Sequence, residues 1–110
     1  MPMVTVLNLR RSDQLRDIED VITQTLSSMP ELAINDREIN VVPILAPEGF
    51  DGEVTRINVE LWEHAERTKE ALQELATRIA KGFRSVAGEE RKVKVVIRPY
   101  DVGTSGWVSL

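Results

Sequence analysis

The chain has no cysteine and a single histidine, His64, among its 110 residues. Without thiols there is no disulfide framework, no thiolate nucleophile and no cysteine-based zinc site. With one imidazole, a transition-metal site within one subunit would need carboxylates around it, so neither a metal nor another cofactor is expected. No apolar run approaches the roughly 18 residues of a membrane span, and MPMVTVL has neither the basic flank nor the length of a secretory signal. The expected location is therefore the cytoplasm, with no membrane partner. An excess of basic residues is missing too: 14 Lys and Arg stand against 18 Asp and Glu, a net charge of -4 that argues against general nucleic-acid binding.

What is present is a globular composition, 42% hydrophobic and 29% charged, in a length that fits one domain over residues 1–110. Met3, Val4, Val6, Leu7 and Leu9 form a β-branched-rich apolar run, which predicts a buried strand. Ser12 and Asp13 then supply a helix start, and Leu15, Ile18, Ile22, Leu26 and Met29 recur at spacings of three and four, predicting an amphipathic helix from about Ser12 to Ser28. Pro30 stops it, and Ile39 to Leu45 reads as a second strand. A turn-rich loop over 46–55 follows, and the pattern begins again. Ile57, Val59 and Leu61 alternate with polar residues, Leu72, Leu75, Ile79, Phe83 and Val86 make a second helical stripe that Gly88 ends, and Val93, Val95 and Ile97 alternate as a fourth strand.

The two halves, 2–45 and 56–100, are thus both β-α-β. Arg11-Ser12 falls on Arg67-Thr68, and Ile39 to Val42 falls on Val93 to Val96. Two such units imply an α+β two-layer fold: right-handed crossovers, a four-stranded mixed sheet, and two helices on one face. Strands with apolar residues on both faces cannot leave one face in water, so the uncovered face is expected to pack against partner subunits.

Pro2 directly behind Met1, the strand Met3 to Leu9, the stretch Arg11-Ser12-Asp13-Gln14 and the repeated unit together resemble the tautomerase superfamily, which includes 4-oxalocrotonate tautomerase and macrophage migration inhibitory factor. The stretch Ile57 to Trp62, followed by a polar turn and a long helix, looks like a small bacterial branch of that superfamily. The resemblance implies a homotrimer whose sheets form a barrel with helices outside, and a cofactor-independent isomerase acting on a small anionic carbonyl or enol acid. It implies Pro2 as general base once Met1 is removed, since a secondary amine in an apolar pocket near cations has its protonated form disfavoured. It implies that Arg11, with Arg10 as an adjacent substitute, binds the anionic end of the substrate through forked hydrogen bonds. Asn40 falls where these tautomerases carry a second arginine. An amide donates hydrogen bonds but adds no charge, which favours a smaller or less charged substrate than a dicarboxylate. Phe50 corresponds in position to the aromatic wall of the family pocket.

The residues leave two other readings open. With Met1 retained, the Pro2 nitrogen is an amide without a basic lone pair, and the same trimer would be a non-catalytic binding scaffold. Two β-α-β units also arise in ferredoxin-like regulatory domains, which often dimerise. His64 reads as a surface residue, and Trp62, Tyr100 and Trp107 read as core or interface aromatics.

Overall fold

The computed structural model describes residues 2–49 and 53–110. Strand β1 (Met3–Leu9) leads into helix α1 (Leu15–Ser27), two short 3-10 turns (Pro30–Leu32 and Asp36–Glu38) and strand β2 (Asn40–Leu45). Strand β3 (Val54–Trp62), helix α2 (Lys69–Ala87) and strand β4 (Lys92–Tyr100) repeat the order. The strands lie in the order β2-β1-β3-β4, with β1 parallel to β2, β3 parallel to β4, and β1 antiparallel to β3. Each β-α-β unit is therefore unsplit, its two strands side by side, whereas a ferredoxin-like domain splits them. That excludes the ferredoxin-like alternative.

Alternation sets the two faces of the sheet. Val4 and Val6 on β1 stand opposite Val59 and Ile57 on β3, and all four are buried beneath Ile18, Ile22 and Leu26 of α1 and Leu75, Ile79 and Phe83 of α2. Strict alternation would next put Asn8 into this core. Instead Asn8 takes a left-handed φ of 63° at a shift in register, and the extra residue lets Leu9 drop in. The helices pack closely because Gly82 offers no side chain: a Cβ there would come within 3.1 Å of Val21. Gly88 ends α2 at a φ of 126°, which its missing Cβ permits.

The helix starts differ from expectation. Gln14, not Ser12 or Asp13, precedes α1, and it makes no side-chain cap, whereas Thr68 caps α2 by accepting the Ala71 amide at 3.1 Å. Asp13 is diverted. Its carboxylate takes two hydrogen bonds from the guanidinium of Arg91, the Nη2 to Oδ2 bond being 3.0 Å, and one from the Arg10 amide at 2.7 Å. The pair is almost wholly buried, with side chains 1% and 5% exposed. Arg91 also donates to Thr55 at the start of β3 and lies over the Phe83 ring, 5.3 Å from its centroid. One buried ion pair thus ties the turn after β1 to the loop before β4.

The face away from the helices is divided rather than uniformly apolar. Met3, Leu7 and Val42 occupy it on β1 and β2, while Arg56, Asn58 and Glu60 on β3 and Lys94 and Arg98 on β4 make the other half polar.

Burial, the largest influence on Asp13, pushes its carboxyl up, but the hydrogen bonds from Arg91 and the Arg10 amide outweigh it and hold the carboxyl below its ordinary 3.8. A folded value below the unfolded one stabilises fully above about pH 4, and the stabilisation is lost as pH falls through the folded value. Asp13→Asn should cost about 3–5 kcal/mol in urea denaturation near neutral pH, because it strands Arg91 in the interior. It should also flatten the loss of stability that the unaltered protein shows between about pH 5 and about pH 2.

Candidate active site

The starts of β1 and β2 and the ends of β3 and β4 meet at one end of the sheet. Pro2 lies there, buried, its carbonyl accepting the Asn40 amide at 3.1 Å. One step back from the Met3–Glu60 pair sets Pro2 opposite Leu61 and beside Trp62. The Asn40 side chain reaches over Met3, with Nδ2 3.6 Å from Sδ. Of the residues expected to act together, the chain brings Pro2 and Asn40 into contact.

Arg10 and Arg11 are elsewhere. The 7 residues of β1 carry the chain roughly 23 Å at about 3.3 Å each, so both arginines lie at the opposite end of the sheet. Arg11 is exposed in the turn, and Arg10 supplies its amide to Asp13. Within one chain neither approaches Pro2. Phe50 lies outside the described residues.

A different arginine does share the end with Pro2. Arg67, between β3 and α2, donates from Nε to the Leu32 carbonyl at 3.0 Å and from Nη1 to the Trp62 carbonyl. These bonds fix the guanidinium while its Nη2 has no hydrogen-bond partner among the described residues. Burial pushes the Arg67 guanidinium below its ordinary range, and the Glu38 carboxylate opposes that shift. The cation is thus oriented, partly dehydrated and able to donate further. Its neighbour His64 is exposed and offers only its carbonyl, to the Arg67 amide at 3.0 Å. Counting side-chain matches puts Arg67 on Arg11; counting from the residues before the helices, Gln14 and Thr68, puts it on Asp13. The signal for Arg67 was the polar turn Glu63 to Thr68, where a lone arginine precedes a threonine cap.

Two clefts flank this end. A groove of about 520 Å³ runs between α2 and β4, with Glu63, Arg67 and Lys69 above Leu72, Val95 and Ile97. A second, of about 360 Å³, is formed by Trp62, Tyr100 and Trp107, the two indoles 6.1 Å apart and tilted by 51°. Tyr100 stands directly opposite Trp62 in register, so these aromatics close the sheet end rather than join the core. Pro2 lines neither cleft. Among the described residues no group of three His, Asp or Glu side chains is placed to hold a metal ion, and no helix is long and apolar enough to cross a membrane.

No family model and no curated protein matches the sequence. Solved structures do match in fold. A fused 4-OT, solved as an asymmetric trimer, superposes with a TM-score of 0.72 at 14% identity, covering 96% of this chain and 92% of that one. The macrophage migration inhibitory factor-like protein of Entamoeba histolytica gives 0.67 at 12% identity, covering 97% and 95%. The FG41 malonate semialdehyde decarboxylase inhibited by 3-bromopropiolate gives 0.59 at 21% identity, covering 90% and 83%. The chain shares the α+β fold of the fused 4-OT and macrophage migration inhibitory factor-like structures.

Replacing Arg67 by alanine should lower stability by about 1.5–3 kcal/mol for each carbonyl left without its charged donor. Arg67→Lys should recover little of that, because an ammonium cannot fork between the Leu32 and Trp62 carbonyls. Urea midpoints of the three proteins check both expectations.

Proposed function

We propose that this protein is a cofactor-independent tautomerase or isomerase of a small carbonyl or enol acid, working in the cytoplasm with the Pro2 amine as its base. The observation that carries this reading is the burial of Pro2 at the head of a central strand, at the sheet end where Arg67 is held with a free donor. Removal of Met1 turns the Pro2 nitrogen into a secondary amine. Low solvation and a nearby cation disfavour its protonated form, which leaves a base usable near neutral pH. The amine takes a proton from the enol oxygen or from the carbon beside the carbonyl and returns it at the other position. Arg67 Nη2 donates to the oxygen on which negative charge develops. Asn40 adds a neutral hydrogen bond, so the site suits a monoacid better than a dicarboxylate.

The pocket is completed by assembly. Pro2 lines neither the α2–β4 groove nor the aromatic cleft, and Arg10 and Arg11 stand at the far end of the sheet, so a substrate-binding Arg11 must come from a neighbouring copy. A homotrimer would supply that copy, and the fused 4-OT of the same fold was solved as an asymmetric trimer.

The test is the intact mass of untagged protein followed by enol-to-ketone assays with 2-hydroxymuconate and phenylpyruvate. The expected results are a mass short of one methionine and a loss of about 100-fold or more in rate for Pro2→Ala. Undiminished activity in Pro2→Ala would refute the mechanism. A full mass with no activity would instead favour a non-catalytic binding scaffold of the same fold.

A further inference from the structure

The polar half of the open sheet face carries an electrostatic arrangement that the fold does not require. Arg56 on β3 stands directly opposite Lys94 on β4, and like charges in that position repel. Arg98 lies further along the same face, opposite Glu60. Lys92 on the same face is paired with Glu53 at 3.7 Å, which leaves three cations to share the face with the carboxylate of Glu60, in a protein whose overall charge is -4. Their side chains are not consumed by partners. Arg56 spends Nε on the Asn58 Oδ1 at 2.8 Å, which orients its guanidinium, and the side chains of Lys94 and Arg98 have no hydrogen-bond or ion-pair partner among the described residues. Arg56, Asn58, Glu60 and Arg98 wall a polar cavity of about 90 Å³ over Val96. That is room for about three waters, or for one small oxyanion.

We propose that this cavity binds a phosphate-type dianion, held by the guanidinium groups of Arg56 and Arg98 with Lys94 supplying the third charge. Three positive groups against Glu60 leave a local excess matched to hydrogen phosphate, and forked guanidinium donors suit its tetrahedral oxygens. Bound phosphate removes the repulsion between Arg56 and Lys94, so it stabilises the β3–β4 pair. The ligand is either inorganic phosphate or the phosphate group of a small metabolite, since both present the same oxygens. The site is separate from Pro2 and holds whether or not the protein is an isomerase.

Titration of the folded protein with inorganic phosphate, followed by calorimetry and by backbone amide NMR, tests this. Saturable binding is expected, with shifts centred on Arg56, Asn58 and Arg98. Arg56→Met should weaken it roughly tenfold and Glu60→Gln should tighten it severalfold, while acetate and chloride at equal ionic strength should not compete at the same concentrations. Arg98→Met serves as a second loss variant if Arg56→Met does not fold. Tighter binding of a phosphate monoester such as glycerol phosphate would assign the site to a metabolite; equal or weaker binding would assign it to the free ion. Absence of saturable binding, or binding unchanged in both arginine variants, overturns the proposal. So does a face whose amides respond only to protein concentration, since a second copy of the chain would then be its occupant.

Discussion

The buried pair between Asp13 and Arg91 is the constraint on which the arrangement of the two halves rests. Burying two charges gains little over apolar packing, but once they are buried each is costly without the other. The two residues are 78 positions apart in sequence, so the pair enforces one long-range register. It fixes the turn leaving β1, the start of β3 through Thr55, and the loop entering β4. Arg84 adds a bond from its Nε to the Arg91 carbonyl at 2.8 Å, binding the end of α2 to the same point.

The internal repeat makes the other end of the sheet its counterpart, with the charges exchanged. Arg67 occupies the place of Asp13, and its partners are the Leu32 and Trp62 carbonyls together with the field of Glu38. A buried ion pair seals one end. A guanidinium bonded to two neutral carbonyls keeps its charge and a spare donor at the other. The asymmetry leaves a nearly symmetrical fold with one sealed end and one end, shared by Pro2, where a cation keeps a spare donor.

The order of elements was legible because strand alternation and helical spacing are local. Leu15 to Met29 and Leu72 to Val86 could be read as stripes without knowledge of the rest of the chain. The start of α1 was not, because Asp13 has the chemistry of a cap and only a partner 78 residues away draws it elsewhere. Asn8 looks like an ordinary polar strand residue, and its left-handed turn follows from the need to bury Leu9. At the site, the nearness of Pro2 and Asn40 followed from adjacent parallel strands. The separation of Arg11 from Pro2 followed equally from strand length, yet the motif follows the same strand that Pro2 opens and reads as one site. The polar turn Glu63 to Thr68 marks Arg67, but its orientation was not legible there, since it depends on the carbonyl of Leu32 across the core.

The proposed isomerase chemistry depends on the Pro2 nitrogen being an amine that sheds its proton near neutral pH. Protein labelled with nitrogen-15 proline and titrated by NMR reports that nitrogen directly. The expected result is an amine signal for Pro2 with a midpoint below the roughly 7.7–8.0 of an ordinary chain terminus, moving upward when Arg67 is replaced by alanine. A Pro2 nitrogen that stays an amide, or one that titrates at or above that ordinary value, would contradict it.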